Sequence, residues 1–114
     1  MYTIDYYSSA SGRKPIEEFI DSLDTKMRAK IFGRLELLEE HGPSLGMPFS
    51  RHLEDGIFEL RCTQASDTAR ILYFFVEGER IILTHGFVKK TQKAPRREIK
   101  RAMRIRNDWR LRNE

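Results

Sequence analysis

The sequence predicts an α+β fold of order β-α-α-β-β-β-α, with a largely antiparallel sheet and its helices packed on one face. Three observations predict it. The chain opens on a short alternating run rich in β-formers, Tyr2 to Tyr7. Two stretches with helical spacing of apolar residues follow, up to His41. The second half then switches to three strand-like runs and closes on a long basic helical stretch. A chain of 114 residues supports one hydrophobic core, so residues 1–114 are expected to form a single domain.

The elements follow in order. Tyr2-Thr3-Ile4-Asp5-Tyr6-Tyr7 is the first strand, and Ser8 to Lys14, with Gly12, is turn material. Pro15 suits the first position of a helix, where a missing N–H costs nothing. Glu17 and Glu18 complement the helix dipole, and Ile16, Phe19, Ile20 and Leu23 make one apolar stripe. Asp24 or Thr25 caps a second helix carrying Met27, Ile31, Leu35 and Leu38, and His41-Gly42-Pro43 stops it. Leu45 to Arg51, with Gly46 and Pro48, reads as a loop.

From Ile57 to Thr63 the period becomes two. Phe58, Leu60 and Cys62 face one way, and Glu59, Arg61 and Thr63 the other. Ala69 to Val76 is nearly all apolar apart from Arg70, as befits a central strand covered on both sides. Ile81 to Val88 is the next strand. The connections at Gln64 to Thr68 and Glu77 to Glu79 are short enough for hairpins, hence an antiparallel meander. Pro95 opens the last helix, with Ile99, Ala102, Met103 and Trp109 on its apolar positions.

Charge divides the chain. The net is +4, but residues 1–88 carry 10 Lys/Arg against 14 Asp/Glu, and residues 89–114 carry 11 against 3. The first part is therefore at −4 and the tail at +8. Such asymmetry suits a polyanion or an acidic protein partner, or simply a solvated basic helix face. Cys62 is the only cysteine, so no internal disulfide or cysteine-based zinc site is expected. Without a long apolar run or a secretory pattern at the N-terminus, a cytoplasmic protein with no membrane contact is expected.

Three stretches carry a resemblance: Gly56-Ile57-Phe58-Glu59-Leu60-Arg61, Ala69-Arg70-Ile71-Leu72-Tyr73-Phe74, and His85-Gly86-Phe87-Val88-Lys89-Lys90-Thr91-Gln92-Lys93-Ala94-Pro95. In this order and spacing they resemble the phage-derived, HigB-like branch of the RelE superfamily. The resemblance covers nearly the whole chain and implies a RelE-like fold. It further implies the toxin of a type II toxin–antitoxin pair, a ribosome-dependent endonuclease that cuts mRNA in the A site. In that family the ribose 2′-OH attacks the adjacent phosphate without metal or other cofactor. The implied partners are the ribosome, mRNA and a small HigA-like helix-turn-helix antitoxin, through which alone operator DNA would be touched.

That reaction needs a group to take the 2′-OH proton, cations to hold the developing phosphorane charge, and a group to protonate the leaving 5′ oxygen. The catalytic candidates are Arg61, Arg70, Lys89, Lys90 and His85. Arg70, inside an apolar strand, is either a phosphate-binding cation or half of a structural ion pair with Glu59 or Glu77. Lys89 and Lys90 point to opposite faces of an extended chain, so one pocket takes only one of them readily. His85 is a proton-transfer group or a packed strand residue. The RNA-binding candidates are Phe87, by stacking or else as core, and Lys93, Arg96, Arg97, Lys100, Arg101 and Arg104, by phosphate contact. The basic helix could instead receive an acidic antitoxin segment. Some RelE relatives carry a C-terminal Tyr that assists catalysis, and residues 93–114 contain none. Two other functions fit the same fold: a ParE-type gyrase poison, and a degenerate, non-catalytic toxin that serves only regulation.

Overall fold

The computed structural model describes residues 1–89 and 94–113. The elements are β1 (Thr3–Tyr6), α1 (Pro15–Asp21), α2 (Thr25–His41), a single 3-10 turn (Gly42–Ser44), β2 (Ser50–Glu54), β3 (Ile57–Gln64), β4 (Asp67–Val76), β5 (Arg80–Lys89) and α3 (Arg96–Asn113). The five strands form one sheet in the order β1-β5-β4-β3-β2. The helical hairpin carries the chain from β1 to the far edge, and the meander β2 to β5 brings it back. β5 thus lands beside β1, and among the described residues this is the one parallel pairing, the others being antiparallel. The α+β class, the two early helices and the meander are as the sequence predicts. Pro15 opens α1, and Asp24 caps α2 by accepting from Met27 N–H at 2.8 Å.

Three features differ from the reading of the sequence. The first is β2, which occupies part of the stretch expected to be a loop. Its five residues show no apolar alternation, and they become a strand because they pair with β3, Ser50 opposite Leu60 and Glu54 opposite Ile57. The turn joining them is Asp55-Gly56, with φ of 50° and 79°. Asp-Gly favours such a turn because both central residues need positive φ.

The second difference concerns the helices, which cover both faces. α1 and α2 pack Ile16, Ile20, Met27, Ile31, Leu35 and Leu38 against Leu60, Cys62, Ala69, Ile71, Tyr73, Ile81 and Leu83. α3 lies on the opposite face, where Ala102 and Ile105 join Tyr7, Ile57, Leu72, Phe74 and Ile82. The near-continuous apolar run of β4 is explained by these two cores.

The third difference is a bulge in β5. Leu72 pairs with His85 but Tyr73 pairs with Leu83, so Thr84 is an extra residue, its hydroxyl donating to Leu72 O at 3.0 Å. Strict alternation would put residues 81, 83, 85, 87 and 89 on one face. The bulge breaks the alternation, so Ile81 and Leu83 face α1 and α2 while His85, Phe87 and Lys89 turn to the α3 face.

Gly86 is where α1 approaches the sheet closest. A Cβ there would lie 2.4 Å from Cδ2 of Phe19. Gly86→Ala is expected to destabilise the fold by about 1–3 kcal/mol through overpacking. Gly33→Ala, at an exposed α2 position with nothing within 4 Å, is expected to stabilise it by about 0.5–1 kcal/mol. Urea unfolding of both variants checks the pair; equal effects would refute the packing argument.

Candidate functional site

The polar residues of β3, β4 and β5 gather on the α3 face. Register brings Arg61 opposite Arg70 and Arg70 opposite Phe87, with Thr68 opposite Lys89. Two arginines directly opposite each other repel. Glu59, 0% exposed, relieves this from the neighbouring position. Arg70 Nη1 donates to Glu59 Oε1 at 2.9 Å and to Oε2 at 3.0 Å, and Arg51 Nε donates to Oε2 at 2.8 Å. One carboxylate thereby ties β2, β3 and β4 together. Of the two ion-pair partners the sequence offers Arg70, the structure uses Glu59.

Arg70 is 2% exposed and forms the floor of this face. Arg61 is half-buried beside it. Lys89, at the end of β5, is 7% exposed, and its pKa is lowered by burial and then by the nearby charge of Arg70, while Glu59 pulls it back up and Arg51 and Arg97 push it down further. Arg51 and Arg70 thus share one buried carboxylate, with Lys89 in its field and Arg61 opposite Arg70 across the strands. Phe87 is half-buried and packs against the core beneath α3. Its ring centroid lies 6.1 Å from that of His85. Lys90 and Lys93 lie outside the described residues.

His85 does not have the surroundings of a proton-transfer group. It is 1% exposed under the first turns of α3. Its Nδ1 is 3.1 Å from the Thr84 hydroxyl and its Nε2 is 3.1 Å from Glu98 Oε1. Burial and the cation of Arg101 push its pKa down to about 4, against the opposing pull of Glu98. The ring is therefore neutral near pH 7, with Nε2–H donating to Glu98, and it fastens α3 to β5. The bulge, invisible as a period in the sequence, is what buries it there.

All but Arg110 of the cations of α3 fall into two groups. Arg96 pairs with Glu54, and Arg106, buried, donates to the backbone oxygen of Asp55 and at 2.9 Å to its Oδ2. Arg112 holds Asp108, whose carboxylate also accepts from Tyr7 Oη at 2.6 Å. Arg97, Lys100, Arg101 and Arg104 instead lie exposed at spacings of one helical turn, a stripe open to solvent. Two site residues were missed in the sequence. Arg51 fell in a stretch read as loop. Glu98 could have been found as the one acidic residue in the first turn of a basic helix.

No group of three or more His, Cys, Asp or Glu arranged to hold a metal occurs among the described residues. No helix among them is long and apolar enough to cross a membrane. A model of the family described as "Phage derived protein Gp49-like (DUF891)" matches residues 18–107, a span that contains the whole cationic face. No curated protein matches the chain.

Two outcomes follow from this geometry. Glu59→Gln removes the carboxylate between buried cations and is expected to cost about 3 kcal/mol of stability, as for other broken buried pairs. Adding Arg70→Met should recover part of it, measured by urea unfolding; a Glu59→Gln protein as stable as the parent would refute the linkage. For His85, the folded-state pKa of about 4 lies below the unfolded value of about 6.5. Its contribution is then full above pH 6.5 and lost as pH falls toward 4, by up to about 3 kcal/mol. Unfolding free energies from pH 7 to 4 should fall less steeply in His85→Gln than in the parent.

Proposed function

Because the chain belongs to the phage-derived Gp49-like family, we propose that it is the toxin of a type II toxin–antitoxin pair, of HigB type within the RelE superfamily, and that it cuts mRNA on the ribosome. The observation that carries this reading is the convergence of Arg61, Arg70, Phe87 and Lys89 from three strands onto one face. Metal-free RNA cleavage asks for cations gathered on a partly dry face, where they can meet a phosphate.

In the proposed reaction Lys89 takes the proton from the ribose 2′-OH. Its depressed pKa raises the share of neutral amine near pH 7. The 2′ oxygen attacks the adjacent phosphorus, and the bond to the 5′ oxygen breaks. The products are a cyclic 2′,3′-phosphate and a 5′-hydroxyl, the leaving oxygen receiving a proton from the ammonium so formed or from Lys90. Arg61 holds the phosphate oxygens in the doubly charged transition state. Arg70 adds charge from beneath, held in place by Glu59. Phe87 offers a ring on which a base stacks. Arg97, Lys100, Arg101 and Arg104 grip rRNA phosphates, together with Arg96 and Lys93. His85 is assigned the anchoring of α3 rather than proton transfer. A HigA-like antitoxin restrains the activity and brings the pair to its operator DNA.

The test is single-turnover cleavage of mRNA on programmed ribosomes at saturating protein. Lys89→Met should slow cleavage by roughly 100-fold or more, since the loss of one preorganised contact in such sites costs ~3 kcal/mol. Ribosome binding should change little, because many other cations hold the rRNA. The parent's rate should rise with pH and level off below the ordinary lysine pKa of about 10.4. Arg70→Ala is read by melting and cleavage together: a lower melting temperature with a wild-type rate would make it purely structural. Intact mRNA with well-folded protein would sink the endonuclease reading, and DNA breaks on induction would favour the gyrase poison.

A further inference from the structure

The other end of the molecule carries a second built surface, with the opposite charge. Between the free edge of β1 and α2 runs a groove of about 470 Å³. Its α2 wall is Phe32, Leu35, Glu36 and Glu39, spaced so that all four share one helix face. Phe32 is 47% exposed, a large apolar side chain left open among the described residues. The β1 wall is Ile4 and Tyr6.

The backbone of that wall is patterned. Thr3 N–H donates to Glu79 O and Tyr7 N–H to Leu83 O, so the odd-numbered residues of β1 turn their amides toward β5. The even-numbered residues therefore turn theirs away, as period two requires. Tyr2 N–H accordingly meets Glu39 O of α2 at 2.8 Å. Ile4 and Tyr6 come next in the same row, facing the groove, and no strand lies beyond them among the described residues. The groove thus offers two residues' worth of ladder hydrogen bonds and an apolar wall. The rim is acidic. Glu36 and Glu39 line it beside the cation Lys14, while the third lining acid, Asp5, is held by Arg80 at 3.1 Å. The Tyr6 hydroxyl is held above its ordinary pKa by burial and then by the carboxylates of Glu17, Asp21 and Glu39.

We propose that this groove receives an extended, basic segment of a partner protein, added as a sixth strand along β1. Main-chain bonds go to Ile4 and Tyr6, alternate apolar side chains pack on Phe32 and Leu35, and lysines or arginines meet Glu36 and Glu39. The edge is otherwise a liability, because an uncovered strand beside an exposed Phe invites nonspecific pairing. Lys89 lies six residues beyond Leu83, the partner of Tyr6, or about 20 Å along β5. A segment seated here leaves the cationic face uncovered, so RNA and partner can bind together. This inference does not rest on the endonuclease reading.

The test uses the full chain and a capped seven-residue peptide alternating lysine and valine, with its glutamate–valine counterpart as control. Titration followed by amide hydrogen exchange should show saturable binding with Kd below 1 mM, with the Ile4 and Tyr6 amides newly protected. The glutamate peptide should bind at least about 10-fold more weakly, and added salt should weaken the lysine peptide. Phe32→Glu and the pair Glu36→Lys, Glu39→Lys, at two exposed positions and one half-buried one, should each reduce affinity by about 10-fold or more while mRNA cleavage and melting stay near the parent's. Protection on α3 instead, no binding, or affinity unchanged in both variants would overturn the proposal. So would a concentration-dependent dimer dissolved by Phe32→Glu, which would make a second copy of the chain the occupant. Failure of the cleavage assay leaves every one of these outcomes readable.

Discussion

Glu59 is fully buried and surrounded by cations, and the arrangement of the sheet's α3 face depends on it. A carboxylate in that position is expensive to desolvate unless it is paired and hydrogen-bonded. Here both oxygens are taken, by Arg70 from β4 and by Arg51 from β2. The pairing lets Arg70 stay inside an apolar strand and lets Arg61 lie directly opposite it. It also ties down β2, whose residues have little apolar pattern of their own. The positive charge near Lys89 is thus a consequence of packing: one acid holds Arg51 and Arg70 close, and strand register sets Arg61 opposite Arg70.

The second constraint is the bulge at Thr84. One extra residue changes the face to which the end of β5 belongs. Before it, Ile81 and Leu83 serve the α1–α2 core, and after it His85 serves the α3 contact while Lys89 serves the cationic face. α3 depends on this turn. Its apolar stripe is short, and polar fastenings supplement it: Glu98 on His85, Arg106 on Asp55, Asp108 on Tyr7. These fastenings spend some of the helix's charge on the body and leave Arg97, Lys100, Arg101 and Arg104 facing solvent.

The uneven charge of the chain acquires a spatial meaning. The strand cations Arg61, Arg70 and Lys89 lie toward the end of β5, whereas Glu36 and Glu39 line the groove beside β1 and α2. A molecule with two oppositely charged surfaces some 20 Å apart along one strand can bind a polyanion and a basic segment without competition between them. Screening over more than a Debye length, about 8 Å at physiological salt, keeps the two fields nearly independent.

What the sequence determined by itself is what local chemistry decides. The helical stripe of Ile16, Phe19 and Ile20, the cap at Asp24, the alternation of Ile57 to Thr63 and the apolar run of β4 each repeat on a fixed period, so class, order and the facing of Glu59 with Arg61 were legible. The tertiary structure decided the rest. β2 exists because β3 offers it a partner, and no periodicity announces a strand stabilised by backbone pairing and one ion pair. The placement of α3 followed from the packing of Ala102 and Ile105 on the second core, and that of His85 beneath it from a bulge that costs one residue and leaves no mark on composition. The choice of Glu59 over Glu77 for Arg70 turned on register, which a sequence pattern of period two leaves free by any even shift. Charge neutralisation inside a protein is decided by which side chains come within about 3 Å of one another, and only the packed sheet sets that distance.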